Sequence, residues 1–153
     1  MSSAKIALLT ACVIAIVAAG PAAGQNDTAA TQAVEAVAYD YVDGQLEGNV
    51  DRVQRALHPD LAKRTPRKAT PYETLALGRM TADELISLTR KGALKTPREQ
   101  WQRSVTVLGV DQDIATVRVE TPWFIDHLQL ARLNDRWVIV NALWRGKPRP
   151  AQP

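Results

Sequence analysis

The side chains able to do chemistry are few and scattered. His58 and His127 are the two histidines of the 153-residue chain. They stand far apart and have no metal-ligand spacing. The one cysteine, Cys12, lies inside an apolar N-terminal run. No serine sits in a nucleophile elbow, and no glycine-rich loop is built to cradle phosphate. What remains is hydrogen bonding set among apolar neighbours: Tyr41 in YDYVDGQLEGNV, His127 and Gln129 in WFIDHLQLARL, and the aromatic Trp144 closing RWVIVNALW. A few polar groups converging on an apolar wall suit the holding of a small molecule. A lone tyrosine cannot abstract a proton near neutral pH, because its ordinary pKa is about 10.

These residues need elements to position them. Val34, Val37, Ala38, Tyr41, Val42 and Gln45 recur at helical spacing, so a helix is expected from about Thr28 to Glu47, after a polar tether over 25–31. Gly48 stops it, and Asn49 caps a short second helix whose Val50, Val53, Ala56 and Leu57 face inward. His58-Pro59 ends that helix, because the residue before proline is pushed out of the helical region. His58 is expected to hydrogen-bond locally there. The stretch 62–71 reads as an irregular, cation-rich excursion around a first strand, and YETLALGRM as a strand or turn. Thr81 and Glu84 form a capping box, with Met80 and Leu85 as a hydrophobic staple, so a third helix runs from Thr81 to about Lys91. Beyond residue 100 the apolar period becomes two, giving four strands in RSVTVLGV, IATVRVET, WFIDHLQLARL and RWVIVNALW.

The N-terminus carries Lys5, the run IALLTACVIAIVAAG and a small-residue exit, PAAGQ. That is the layout of a secretory signal peptide over 1–24, cut after Gly24. Cys12 would leave with it, so no disulfide or thiol chemistry is expected in an exported, periplasmic or secreted domain over 25–145. Residues 146–153 read as a disordered tail. The formal net charge of +3 is too balanced to imply nucleic acid. The cationic run KRTPRK, Lys63 to Lys68, reads as a solvated loop or an anion-facing lip. No membrane attachment is expected once the leader is gone.

Helices followed by antiparallel strands make an α+β layout with helices on one face of a curved sheet. The segments YDYVDGQLEGNVDRVQRALHPDLAKR, TADELISLTR, VTVLGVDQDIATVRVET and IDHLQLARLNDRWVIVNALW resemble, in this order and spacing, the nuclear transport factor 2-like superfamily, and within it the putative lumazine-binding family. The resemblance implies a cone-shaped fold in which the bent helix pair forms one wall of a cup. The superfamily includes isomerases, dehydratases, cyclases and non-enzymatic binding or accessory domains, so the fold does not choose a function. Set beside ketosteroid isomerase, Tyr41 matches the oxyanion tyrosine. The general base falls near Thr65 and the second oxyanion acid near Gln129, and neither position holds a carboxylate.

The register of the last hairpin assigns the cup. A two-residue turn at Asn134-Asp135 opposes Leu133 with Arg136. One face then carries Ile125, His127, Gln129, Ala131 and Leu133 with Val138, Val140, Ala142 and Trp144. This face is taken as the cup, with Ile125, His127, Gln129 and Trp144 as ligand contacts and Tyr41 reaching in from the helix. The other face, with Asp126, Leu128, Leu130, Trp137, Ile139 and Leu143, is expected to pair with a second copy of the chain. Asp126 would then form an interface salt bridge or bond a loop. The leading expectation is a non-catalytic domain, without cofactor, that binds an apolar or aromatic small molecule. The alternatives are an isomerase- or cyclase-type enzyme using Tyr41 and His127, or an interaction module whose cup is filled by its own side chains.

Overall fold

The computed structural model describes residues Ala22 to Pro148, with side chains from Thr28 onward. Lys5, Cys12 and most of the leader therefore lie outside the described residues, as does the tail beyond Pro148. Helix α1 spans Ala22–Glu47, and α2 spans Val50–Ala56. The polar tether expected over 25–31 is helical instead; Ala29 and Ala30 are strong helix formers that carry the helix back past Thr28.

The bend between the two helices is built as the residues require. Gly48 adopts φ +73°, and the Asn49 side chain accepts a hydrogen bond from the Arg52 backbone N–H. Gly44 lets α2 fold back: a Cβ there would lie 2.8 Å from the Val53 side chain. Arg52 then reaches Asp40 at 2.9 Å and Glu47 at 2.9 Å, tying the two helices together.

Strand β1 (Leu57–Pro66) follows α2 without a loop and pairs with β2 (Leu77–Met80). The helix has ended before His58-Pro59, as expected, and the first half of the stretch 62–71, expected to be irregular, continues the strand as far as Pro66. The His58 Nδ1 accepts from the Asp60 N–H at 3.1 Å, the local bond expected of it. Helix α3 (Ala82–Arg90) starts with the full capping box between Thr81 and Glu84. Strands β3 (Ser104–Asp111), β4 (Ile114–Glu120), β5 (Phe124–Leu133) and β6 (Arg136–Gly146) complete a six-stranded sheet of order β2-β1-β6-β5-β4-β3. All pairs are antiparallel except β1 with β6. That parallel ladder is interrupted between Leu57 and Ala62, where Pro59 has no N–H to give.

The sheet is curved and unclosed, and α1 lies across its concave side. The core forms there from Val34, Tyr41 and Leu46 of α1 against Val117, Leu128 and Ile139. Each such aliphatic side chain contributes about 1.5–3 kcal/mol by leaving water. Strand β6 runs on to Gly146, and the Lys147 N–H bonds the Trp123 carbonyl at 2.8 Å, so the start of the expected tail is held. No helix among the described residues is long and apolar enough to cross a membrane.

The last hairpin decides what the cup contains. Asn134 and Asp135 both take positive φ, 48° and 60°, as a two-residue hairpin turn requires. Leu133 opposes Arg136 and Ala131 opposes Val138, as the sequence register has it. Beyond Leu130↔Ile139 the register slips, and Gln129 faces Asn141. Val140 is the extra residue of a β-bulge, and it turns the rest of β6 over relative to its start. The concave face therefore carries Asp126, Leu128 and Leu130 of β5 with Trp137 and Ile139, then Ala142 and Trp144.

Candidate functional site

Asp126 is fully buried on the concave face, among apolar side chains. An isolated carboxylate there would be costly, and two partners meet it. Tyr41, brought over it by α1, donates its hydroxyl to Oδ2 at 2.6 Å. Lys63, on β1, donates from Nζ to Oδ1 at 2.8 Å and to the Tyr41 hydroxyl oxygen at 2.8 Å. The three polar ends close a triangle. Among the described residues no buried side-chain polar atom lacks a partner.

Aromatic rings enclose the lysine. Its Nζ lies 5.0 Å from the centre of the Trp144 ring and 5.5 Å from that of Tyr41. Both are cation–π distances. Burial pushes the Lys63 ammonium below its ordinary pKa, and the Asp126 carboxylate opposes that fall. Burial likewise drives Tyr41 well above 10, and the negative charge of Asp126 adds to the rise. Tyr41 is therefore a hydrogen-bond donor throughout the physiological range. The Gln45 side chain donates to the Tyr41 carbonyl at 3.0 Å, one turn along the helix.

Above this triangle opens a cleft of about 1290 Å³. Lys63, Asp126 and Trp144 line its floor. Leu85 and Leu88 of α3 form one wall, and Trp123 and Phe124 at the start of β5 form another. The cleft opens between α3 and the β4–β5 turn. Its lining is mainly apolar, with a small polar group at the base, the composition of a small-molecule site. Both Asp126 oxygens are already engaged. Each oxygen accepts one hydrogen bond, which fixes the carboxylate between Tyr41 and Lys63.

Of the five residues expected to contact a ligand, the structure brings Tyr41 and Trp144 to the concave side. His127 and Gln129 are exposed on the convex face, and Ile125 shares that face. The Gln129 side chain is occupied there, accepting from the Asn141 amide at 3.0 Å. Alternation makes the reason simple: if Asp126 is inside, its neighbours on either side are outside. The expected pairing surface is corrected by the same step. Leu128, Leu130, Trp137 and Ile139 are buried in the core, and only Leu143 of that set is exposed. Lys63 was hidden in the run KRTPRK, yet it is nearly as buried as Leu61 two positions before it. Among the described residues no group of His, Cys, Asp and Glu could hold a metal ion.

A bent helix pair closing a curved sheet over an open cleft defines a nuclear transport factor 2-like protein. The chain belongs to the family described as "Putative lumazine-binding", whose model matches residues 29–145. No curated protein matches it significantly. Among solved structures it is similar to an NTF-2 like protein of unknown function from Silicibacter pomeroyi, with 19% identity over 78% of this chain and 98% of that one, at a TM-score of 0.65. A ketosteroid isomerase-like protein from Erwinia carotovora atroseptica is 14% identical, over 77% of this chain and 96% of that one, with a TM-score of 0.52. The association domain of CaMKII from C. elegans is also 14% identical, over 78% and 98%, with a TM-score of 0.52. At these identities the likeness is one of fold.

Proposed function

We propose that the protein is an exported small-molecule-binding domain whose cleft takes an apolar or aromatic ligand without turning it over. The observation that carries this reading is the Tyr41–Asp126–Lys63 triangle beneath an open, mainly apolar cleft beside Trp144. The cup is open, which speaks against a module filled by its own side chains. The enzymatic alternative resting on Tyr41 with His127 loses its base, because His127 faces away from Tyr41 across the sheet. Export rests on the leader composition: Lys5, the apolar run and the small-residue exit. Pairing of two copies through the convex face is supported by exposed Ile114, Leu133 and Leu143. Tryptophan emission tests the binding reading, since Trp123 and Trp144 line the cleft. A panel of aromatic compounds should include members that quench saturably in the micromolar range. Emission that no compound alters would remove the reading.

A further inference from the structure

We infer that the ligand is an organic acid: an apolar or aromatic body carrying a carboxylate or similar anionic group that points at Lys63 and Lys95. The inference rests on the small-molecule reading above and adds the charge of the ligand. Three lysines line the cleft, Lys63, Lys95 and Lys147, against one carboxylate, Asp126. Lys147 is committed to Glu120 at 2.7 Å. Lys63 is committed to Asp126, but an ammonium has three hydrogens. Two of them go to Asp126 and Tyr41, and one is left for an acceptor in the cleft.

Asp126 faces that acceptor as one half of an ion pair, its charge offset by Lys63 at 2.8 Å. Both of its oxygens are capped, and the side chain is fully buried behind its partners. Lys95 supplies the charge that distinguishes an anion from a neutral carbonyl. It has no ion-pair partner among the described residues, and it is exposed at the mouth of the cleft. Its stem lies beside the two helix-terminating glycines: a Cβ on Gly48 would be 3.6 Å from its Cδ, and one on Gly92 would be 3.5 Å from its Cβ. A ligand with its ring beside Trp144 would therefore meet one buried donor and one unpaired cation, with no uncapped carboxylate.

Two dyes of nearly the same shape test this: anilinonaphthalene sulfonate, an anion, and N-phenylnaphthylamine, its neutral counterpart. Each is titrated by fluorescence against the whole protein. The wild type should prefer the anionic dye, and the preference should shrink as salt is raised. Lys95→Gln should weaken the anionic dye about two- to fivefold and leave the neutral dye unchanged. Lys63→Met alone strands Asp126, so the informative variant is Lys63→Met with Asp126→Leu, which removes both charges together. It should lose about tenfold or more in affinity for the sulfonate and keep the neutral dye. Equal binding of both dyes by the wild type, or a preference unmoved in both variants, overturns the inference and leaves the small-molecule reading standing. Ala93→Trp, which places an indole at the cleft mouth, should expel both dyes. If it expels neither, or if the wild type binds neither, the small-molecule reading fails and the inference falls with it.

Discussion

Tyr41 and Asp126 stand 85 positions apart in the chain and are joined by a 2.6 Å hydrogen bond, the hydroxyl donating to the carboxylate. The bond links the first helix to the middle of the sheet at the base of the cleft. Lys63 spans the same two groups from the edge-side strand β1. Helix, sheet and cleft floor thus share one polar joint.

Removing one member of that joint should cost more than removing two. Asp126→Leu leaves a buried ammonium without its counter-charge and should lose about 3–5 kcal/mol in urea denaturation. Adding Lys63→Met to it should recover most of that loss. If the double variant is as unstable as the single one, the joint matters for its shape and not for its charge.

Alkaline titration should single out Tyr41 among the three tyrosines. Its native pKa is raised above the unfolded value of about 10. The stability it contributes is therefore fully present below pH 10 and is lost as pH rises above it, because ionisation favours the unfolded chain. Phenolate absorbance should show one tyrosine ionising only together with unfolding. That step should vanish in Tyr41→Phe, which should itself cost about 1–3 kcal/mol by leaving buried partners short of a bond.

His127→Ala should be silent. The side chain is exposed on the convex face, so stability should change by less than about 0.5 kcal/mol and binding of any cleft ligand should not change. A loss of affinity would mean that the convex face reaches the ligand, for instance through a second copy of the chain.

The fold was legible because local signals agreed with one another: the Gly48-Asn49 break, the Thr81–Glu84 box and the period-two runs each specify an element unaided. The cleft was legible only in part. The turn at Asn134-Asp135 fixes the register correctly as far as Leu130↔Ile139. The bulge at Val140 then exchanges the faces of β6, and no residue type announces a bulge in RWVIVNALW. This is why Trp144 lies on the expected side while its expected neighbours on β5 do not. The choice of face on β5 failed for a different reason. Both faces are half apolar, and an aspartate among leucines looks like a surface residue until its lysine is found. Lys63 gave one weak signal, its period-two spacing from Leu61, within a run whose charges suggest solvent.

Pairing through the convex face should be sensitive to charge. Ile114→Lys with Leu143→Arg places cations among exposed apolar side chains. Sedimentation should then show the monomer where the parent chain shows a dimer at micromolar concentration. A parent chain that is monomeric throughout would leave that face to some other cover.

On the proposed reading, the cleft above Tyr41, Asp126 and Lys63 holds a small molecule. Native mass spectrometry of the protein, isolated from its host without organic solvent, tests it most directly. A non-covalent adduct of a few hundred daltons is expected on the parent chain, lost on denaturation and absent from Ala93→Trp. A parent chain that flies bare, or an adduct retained in full by Ala93→Trp, would contradict it.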